Sequence, residues 1–456
     1  MTEINVSKLN EDIHKFPQVH PITDDMSTTF EGVSRLVMLD RYAFKDTKKE
    51  TLGVGDLVLL TVKYDPSFPA RGYGLVMSLT GEEVTVELDE AFVSIAGSGS
   101  KTVGIEAIEK PLEVFYEQVA RRVSTGLSKV ETNSNKQLQA FEDFYHELSE
   151  MNFVPAGRVL YGAGSETNVT FFNCFVMPYP KDSREGIGEH RNEVMEIMSR
   201  GGGVGTNGST LRPRNALARG VNGKSSGSVS WLNDIAELTH LVEQGGSRRG
   251  AQMIMLADWH PDIIEFIISK MQNPNILRHL INTTDDDSIK RLAQEKLKFE
   301  PLRTEERGIL LTASKGELEP DERAEVDNLI KDGGRYSVNN PEFLSGANIS
   351  VALTKEFMES VKNDGTYKLR FPDVENYSVQ DMATYNASWY EYGDVREWEA
   401  TGMAVKIYRT IKANDLWSLI NVCATYSAEP GVFFIDNAND MTNAKAYGQK
   451  VVATNP

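Results

Sequence analysis

The chain has 456 residues, 40% hydrophobic and 25% charged, so it is long enough for two or three domains around a large core. Its 48 basic and 66 acidic residues give a net charge of −18. This charge excludes broad electrostatic binding to nucleic acid polymers, although a nucleotide needs only a few arginines or backbone amides.

Two further classes are excluded by residue usage. Only two cysteines are present, too few for a disulfide-stapled secreted fold. The seven histidines are scattered without a metal-binding spacing, so no metal site is predicted. The polar amino terminus and the absence of an apolar run of bilayer length predict a cytoplasmic protein without a membrane segment.

The first 165 residues predict three successive regions. Residues 1–48 are mixed in character and predict a segment that wraps another domain. Residues 49–110 alternate short strand patterns with turns containing Pro and Gly, which predicts a small, SH3-like β-barrel. The hydrophobic period of residues 111–165 is helical and predicts a helical domain.

Residues 166–456 alternate strand and helix patterns, which predicts an α/β architecture with parallel strands. Residues 169–177 predict a buried strand, and GGGVGTNG, after the next helix, predicts a Gly-rich loop. NISVAL at 348–353 predicts another strand, with Thr354 as the N-cap of the helix that follows. Residues 272–345 are polar and predict a surface insertion, whereas LWSLINVCATYS predicts a helix.

Two familiar motifs are matched only in part. A G-x-G-x-x-G pattern begins at Gly203, but no strand pattern precedes it and no acidic residue follows at the ribose spacing, so a dinucleotide site is not predicted. A D-x-H-x-x-G cobalamin motif begins at Asp258 and is broken by Ile263 at its last glycine position. His260 is therefore expected to begin a helix.

One loop and one thiol are stronger candidates. Arg248 and Arg249 lie in a glycine-bounded loop that suits an anionic or planar ligand, with an exposed basic turn as the alternative. Cys174 follows the polar Asn173 inside an apolar pattern, with an inert buried thiol as the alternative. Cys423 lies on an apolar helical stripe and is predicted to be core.

The order of these segments resembles the catalytic chains of ribonucleotide reductases. NVTFFNCFVMP, MSRGGGVGTNGSTLRPRN, SSGSVSWLNDIAELTHLVEQGGSRRGAQM, HPDIIEFI, NISV, EPGVFFID and ATNP follow one another in the family's order across about residues 150–456. PAGRVLYGAG, FFNCFVMP, DRYAFKD and FPARGYG are most similar to adenosylcobalamin-dependent (class II) members. The resemblance implies a ten-stranded α/β barrel of two parallel five-stranded halves, with residues 166–456 as its first part.

The resemblance implies roles for residues around the substrate ribose. Cys174 would be one of the two cysteines that reduce the 2′ position, and Asn455 would hydrogen-bond the 2′ oxygen. The remaining residues of the ribose pocket would be Asn173, Gly202, Gly203 and Gly205.

The resemblance also implies allosteric control by nucleotides. A specificity loop that relays effector identity to the substrate pocket would contain Gln244, Ser247, Arg248 and Arg249. An effector site at a dimer interface would contain Asp182, Ser183 and Arg212.

The family's finger loop reads N-P-C-G-E, and Asn455-Pro456 matches its first two residues. The thiyl-radical cysteine and the glutamate base are therefore expected on a C-terminal portion or a second chain. An intein insertion, a split gene, an intron or a truncated reading frame would each explain this arrangement. The 456 residues alone are expected to show no turnover.

The activity implied is radical reduction of ribonucleoside diphosphates to deoxyribonucleotides for DNA synthesis. The implied cofactor is adenosylcobalamin, and the implied partners are dNTP and ATP effectors, a second copy of the chain and a thioredoxin-like reductant. One alternative is a metal-dependent class I large subunit, whose turnover would not depend on cobalamin. The other is a catalytically inactive nucleotide-binding or regulatory half, which would bind dNTP without reduction.

Overall fold

A computed structural model of the chain describes residues 4–66, 69–218, 223–242 and 250–456. The chain divides into two compact units, the first ending at Asn173 and the second beginning at Cys174. No helix among the described residues is both long and apolar enough to span a lipid bilayer.

The first unit contains an antiparallel sheet. Its strands in the described residues are β1 (Lys45–Asp46), β2 (Leu57–Lys63), β3 (Ala70–Thr80), β4 (Glu83–Leu88), β5 (Ser100–Gly104) and β6 (Ile108–Pro111), in the order β1-β6-β2-β3-β4-β5. In β4, Val84, Val86 and Leu88 are buried while the residues between them are not, as expected for a half-buried strand. The end strands are not paired with each other in these residues, so closure into a small barrel stays a prediction.

The described residues of the first unit also form six α-helices. They are α1 (Val6–Ile13), α2 (Gly32–Val37), α3 (Glu90–Ala96), α4 (Tyr116–Ser128), α5 (Ser134–Ser149) and α6 (Gly157–Gly162). Arg122 on α4 is buried and donates hydrogen bonds to the Glu113 carboxylate and to the carbonyl oxygens of Leu160 and Ala163. This one guanidinium therefore joins the segment before α4 to the chain around α6.

The second unit is an α/β structure. Its strands in the described residues are β7 (Cys174–Val176), β8 (Gly203–Asn207), β9 (Leu217–Ala218), β10 (Gly223–Lys224), β11 (Gln252–Ala257), β12 (Leu297–Pro301), β13 (Gly334–Val338), β14 (Asn348–Leu353), β15 (Thr366–Pro372), β16 (Val405–Lys412) and β17 (Gly431–Phe434). Within this part of the chain β17-β14-β11-β8-β7 form a five-stranded parallel sheet, and β9/β10, β12/β13 and β15/β16 pair as antiparallel ribbons. The predicted α/β architecture with parallel strands is confirmed.

The described residues of the second unit also form twelve α-helices. They are α7 (Arg184–Ser199), α8 (Ser228–Leu241), α9 (Ile263–Ser269), α10 (Pro274–Thr283), α11 (Asp287–Lys296), α12 (Thr304–Ala313), α13 (Pro320–Asp332), α14 (Lys355–Lys362), α15 (Val379–Tyr392), α16 (Val395–Ala400), α17 (Ala413–Ser427) and α18 (Ile435–Met441). Ile254 and Leu256 of β11 and Val351 of β14 are buried in one core cluster with Phe266 of α9. The central strands of the sheet thus form the centre of the core.

Several predicted elements are confirmed in the second unit. The strand at 348–353 is β14, and the hydroxyl of Thr354 accepts a hydrogen bond of 3.1 Å from the Phe357 amide as the N-cap of α14. Cys423 is 1% exposed on α17 and belongs to the core. The insertion predicted at 272–345 contains α10–α13 and the β12/β13 ribbon. No residue of α12 or α13 is buried, but Leu277 of α10 and Ile289 of α11 belong to the core cluster, so a surface insertion over the whole range stays a prediction.

Three local predictions are wrong. The strand predicted at 169–177 is only three residues long, and Cys174 at its start is half-buried. The predicted Gly-rich loop is the buried strand β8, because pairing with strands on both sides overrides the low strand propensity of glycine. His260 does not begin a helix, since α9 starts at Ile263 with Asp262 as its N-cap.

Candidate functional site

Cys174 begins the edge strand β7 and pairs in register with Gly203 of β8, while Val176 pairs with Gly205. Residues in register on neighbouring strands share a face, so Cys174, Gly203 and Gly205 lie on one side of the sheet. A methyl group added at Gly203 would lie 3.1 Å from the Cys174 sulfur. The thiol therefore borders a strip of β8 that carries no side chains.

The backbone of Thr454–Pro456 follows the same strip. A methyl group added at Gly205 would lie 1.9 Å from the carbonyl oxygen of Thr454, and one added at Gly203 would lie 3.2 Å from Cγ of Pro456. Asn455 and Pro456 are exposed. The structure thus brings Cys174, Gly203 and Gly205 together with Asn455-Pro456.

Gly202 and Asn173 differ from this group. A methyl group at Gly202 would lie 2.6 Å from a side-chain carbon of Ile197 and 2.9 Å from one of Phe175, so packing alone requires glycine there. Asn173 is exposed and is the last residue of the first unit. The ribose contacts expected of these two residues stay predictions.

The residues expected to bind an effector contact each other. The backbone amide and Nε of Arg212 donate to the Asp182 carboxylate at 3.0 and 2.7 Å, and Tyr385 of α15 donates to it at 2.7 Å. Burial raises the pKa of Tyr385 well above its usual range, and the Asp182 charge raises it further. Ser183 caps α7 by accepting from the Gly186 amide. Asp182 and Arg212 therefore form an internal ion pair in this structure.

Two buried titratable groups lie beyond the carboxyl end of β11. Asp258 accepts from the Thr354 amide at 2.6 Å and from the Tyr367 hydroxyl at 2.8 Å, and burial raises its pKa to about 7. His260 is buried, which lowers its pKa to about 4. Its Nδ1 accepts from the Asp262 amide and its Nε2 lies 2.9 Å from the Leu211 carbonyl oxygen. Both nitrogens are used, so His260 is not placed to ligate a cobalamin cobalt.

Other expected site residues cannot be placed. Gln244, Ser247, Arg248 and Arg249, expected in the specificity loop, lie outside the described residues. Within the described ranges, no group of three or more His, Cys, Asp or Glu side chains is arranged to hold a metal ion.

Sequence reasoning missed two side chains that hold the backbone of residues 452–454 against the sheet. Asn207 of β8 donates to the carbonyl oxygen of Val452 at 2.7 Å, and the Met255 sulfur accepts from the Thr454 amide at 3.2 Å. Asn207 lies two residues after Gly205 and four after Gly203, so in a strand the three residues share one face. Because the segment was interpreted as a loop, this spacing was not used. Nothing in the sequence around Met255 indicates its contact with Thr454, because the apolar residues there are typical of any buried strand.

Two family models match the chain: the ribonucleotide reductase all-alpha domain over residues 107–168 and the ribonucleotide reductase barrel domain over residues 172–456. Vitamin B12-dependent ribonucleoside-diphosphate reductase of Thermoplasma acidophilum is 26% identical over 325 residues, 71% of this chain and 29% of that relative. The enzyme of the same name from Mycobacterium tuberculosis is 32% identical over 165 residues, 36% of this chain and 23% of the relative.

A third relative, the ribonucleoside-diphosphate reductase large subunit of Arabidopsis thaliana, is 32% identical over 161 residues, 35% of this chain and 18% of the relative. In all three comparisons the chain spans under a third of the relative's length. The barrel-domain model, by contrast, covers more than half of this chain and includes Cys174, β8 and the Thr454–Pro456 backbone. The chain therefore belongs to the ribonucleotide reductase family.

Proposed function

We propose that the chain is part of the catalytic subunit of a ribonucleotide reductase that converts ribonucleoside diphosphates to deoxyribonucleotides by radical chemistry. The observation that carries this proposal is the position of Cys174 beside Gly203 and the Asn455-Pro456 backbone. The thiol is only half-buried, as a group that must react with a substrate needs to be.

In the proposed reaction, Cys174 and a second cysteine supply two electrons and two protons. They close to a disulfide while the 2′ hydroxyl of the substrate leaves as water, and a thioredoxin-like reductant restores the dithiol. Cys423 does not fit as the second cysteine, because it is buried in the core and burial raises its pKa to about 12. The second thiol and the radical cysteine are therefore proposed to lie on a C-terminal portion or second chain.

The two cysteines provide a matched test of this proposal. In the enzyme assembled with the radical cysteine, Cys174→Ser should abolish deoxyribonucleotide formation while the far-ultraviolet circular dichroism stays unchanged. Cys423→Ser should lower the free energy of unfolding by about 1–3 kcal/mol, because it buries a hydroxyl in the core, and should leave turnover per folded molecule intact. Turnover that survives Cys174→Ser would rule out the proposed role.

We also propose that the parallel sheet is one half of a ten-stranded barrel, after a small β-barrel at 49–110 and a helical region at 111–165. Apolar side chains are exposed on both outer strands: Val176 of β7 is 46% exposed, and Val432 and Phe434 of β17 are 43% and 42% exposed. Further strands would cover such edges. Hydrogen exchange should therefore slow in β7 and β17 when the remaining part of the enzyme is added, and unchanged exchange would contradict the proposal.

Adenosylcobalamin is the proposed cofactor, supported by the names of the Thermoplasma and Mycobacterium relatives. When bound, it would supply the radical by homolysis. Among the described residues, the broken D-x-H-x-x-G motif supplies no ligand, since both nitrogens of His260 are hydrogen-bonded inside the protein. The cofactor is therefore proposed without any assigned residue.

Turnover that requires added adenosylcobalamin is the expected result. A class I large subunit, as the name of the Arabidopsis relative favours, would instead require a second subunit and no cobalamin. A regulatory half would bind dNTP and show no reduction even when the radical cysteine is supplied.

We further propose a dNTP and ATP effector site at Asp182, Ser183 and Arg212 in a homodimer, with the specificity loop at Gln244, Ser247, Arg248 and Arg249. The Asp182 carboxylate would orient the Arg212 guanidinium, which would in turn bind the effector phosphates.

Calorimetric titration of dNTP into the dimer tests the effector site. Asp182→Ala and Arg212→Ala should each weaken binding, and unchanged affinity in both would remove the assignment. Arg214→Ala is the matched control, because the Arg214 side chain is bound to Glu265 at 2.9 Å.

A further inference from the structure

The backbone of Val451–Thr454 lies over the parallel sheet without belonging to any strand. Ala453 in its middle is buried, at 1% exposure. Buried backbone amide and carbonyl groups need hydrogen-bond partners, which a neighbouring strand would ordinarily provide. Here side chains from three different elements provide partners for four of the segment's amide and carbonyl groups.

Two asparagines hold the start of this segment. The side-chain oxygen of Asn439 on α18 accepts from the Val451 amide at 2.8 Å, and its side-chain nitrogen donates to the Val451 carbonyl oxygen at 2.9 Å. One residue further on, the side-chain nitrogen of Asn207 donates to the Val452 carbonyl oxygen at 2.7 Å. An asparagine side chain carries the same donor and acceptor groups as a peptide, so each can replace a missing strand partner.

The end of the segment is held from β11. Met255 is buried, and its sulfur accepts from the Thr454 amide at 3.2 Å. Met255 pairs in register with Asn207, so the two side chains leave the same face of the sheet on adjacent strands. Gly205 lies two residues before Asn207 and leaves the space that the Thr454 carbonyl group occupies.

We propose that Asn207, Asn439 and Met255 are positioning residues that fix Val451–Thr454, and thereby keep Asn455 and Pro456 over Gly205 and Gly203, beside the Cys174 thiol. This inference deepens the proposed function, and its catalytic meaning rests on that function. The hydrogen bonds by which the three side chains hold the segment go to its backbone. They act on the substrate pocket through the segment that they hold.

Asn207 also forms hydrogen bonds that do not involve the Val451–Thr454 segment and that would stabilise the fold by themselves. Its side-chain oxygen accepts from the amide of Ser209 at 3.0 Å and from the hydroxyl of the same residue at 2.6 Å. Asn207→Asp keeps both acceptor contacts and removes the donor to Val452. Asn439→Asp likewise keeps the acceptor for the Val451 amide and removes the donor to the Val451 carbonyl oxygen. These two changes isolate the bonds that hold the segment.

The test is the rate at which iodoacetamide alkylates Cys174 in the full 456-residue chain, followed by peptide mass spectrometry. Each of Asn207→Asp and Asn439→Asp should raise this rate by about fivefold or more, because the loss of one hydrogen bond lets the segment leave the thiol. Asn421→Asp is the matched control: the Asn421 side chain donates to the Trp417 carbonyl oxygen on α17, and its loss should leave the rate unchanged.

Alkylation of buried Cys423 in the same samples reports unfolding. If Asn207→Asp unfolds the protein and so exposes Cys423, the test rests on Asn439→Asp alone, because Asn439 is only half-buried. A Cys174 rate equal to wild type in a folded Asn439→Asp variant would overturn the inference.

A different result would contradict the proposed function, namely the absence of turnover in the assembled wild-type enzyme. If wild type does turn over, Asn439→Asp should lower kcat several-fold with little change in KM, and an unchanged kcat would count against the inference.

Discussion

The backbone of β8 at Gly205 and the carbonyl group of Thr454 are in direct contact, since a methyl group on Gly205 would lie 1.9 Å from that oxygen. Thr454 is 249 positions further along the chain, so the contact joins two distant segments. A strand residue without a Cβ is therefore what lets the Thr454–Pro456 backbone lie flat on the sheet next to Cys174.

Gly205→Ala should displace this segment. We expect the free energy of unfolding in urea to fall by about 1–3 kcal/mol and the alkylation of Cys174 to accelerate, because the new methyl group meets backbone rather than a flexible side chain. Gly188→Ala on α7 is the matched control, since nothing lies within 4 Å of its added methyl group, and it should be neutral or slightly stabilising. Equal behaviour of the two variants would contradict the contact.

Asp258 should make stability depend on pH. Its pKa is raised by burial from 3.8 to about 7, above the value of the unfolded chain. The carboxyl therefore stabilises the folded state fully below about pH 4, and this contribution is lost as the pH rises through about 7. Asp258→Asn removes the titration, while the hydroxyls of Thr354 and Tyr367 can still bond to the amide.

The measurement is urea unfolding of wild type and Asp258→Asn at about pH 5 and about pH 7.5. The unfolding free energy of Asp258→Asn minus that of wild type should increase by about 2–3 kcal/mol from the lower to the higher pH. The pKa values of His190 and His260, both lowered to about 4 by burial, affect the two proteins alike and cancel. A difference that stays constant with pH would show that Asp258 does not titrate there.

The two cysteines should react very differently with a thiol reagent. Cys174 is half-buried at the edge of the sheet, whereas Cys423 is 1% exposed and burial raises its pKa to about 12. Since the thiolate is the nucleophile, native protein at about pH 8 should lose one thiol and denatured protein two. Mass spectrometry of the modified peptides identifies the residue, and rapid native labelling of Cys423 would contradict the packing of α17.

Arg122 should be far more important for stability than its neighbour Arg121. Arg122→Ala leaves the buried Glu113 carboxylate without its cation, which should cost about 3–5 kcal/mol. Arg121 forms an ion pair with the exposed Asp25, so Arg121→Ala should cost under about 1 kcal/mol. Urea unfolding of both variants checks the ordering. Because part of the loss comes from the unpaired Glu113 carboxylate, a Glu113→Gln/Arg122→Met double variant should recover that part.

Local pattern was sufficient wherever an element carries its own signal. The alternation and branched side chains of 348–353 marked β14, and the polar Thr354 before an amphipathic run marked the start of α14. The apolar stripe around Cys423 placed that thiol in the core. In each case the side chains that determine the structure are near each other in the sequence.

Prediction from local pattern failed where residues from distant parts of the chain determine the structure. Glycines disfavour a strand locally, yet 203–207 is the buried strand β8 because β7 and β11 pair with it on both sides. Asn207 and Val452 are 245 positions apart, and no local pattern links them. The titration of Asp258 likewise depends on Thr354 and Tyr367, which are 96 and 109 positions away.

The sequence by itself determined the α/β class, the core position of Cys423 and, through the order of its segments, the ribonucleotide reductase family. Only the tertiary structure decided that Cys174, the bare face of β8 and the segment held by Asn207, Asn439 and Met255 meet at one place. The reason is physical: strand and helix periods arise from neighbours along the chain, whereas burial, close backbone approach and hydrogen bonds to a distant segment arise from parts that meet only when the chain folds.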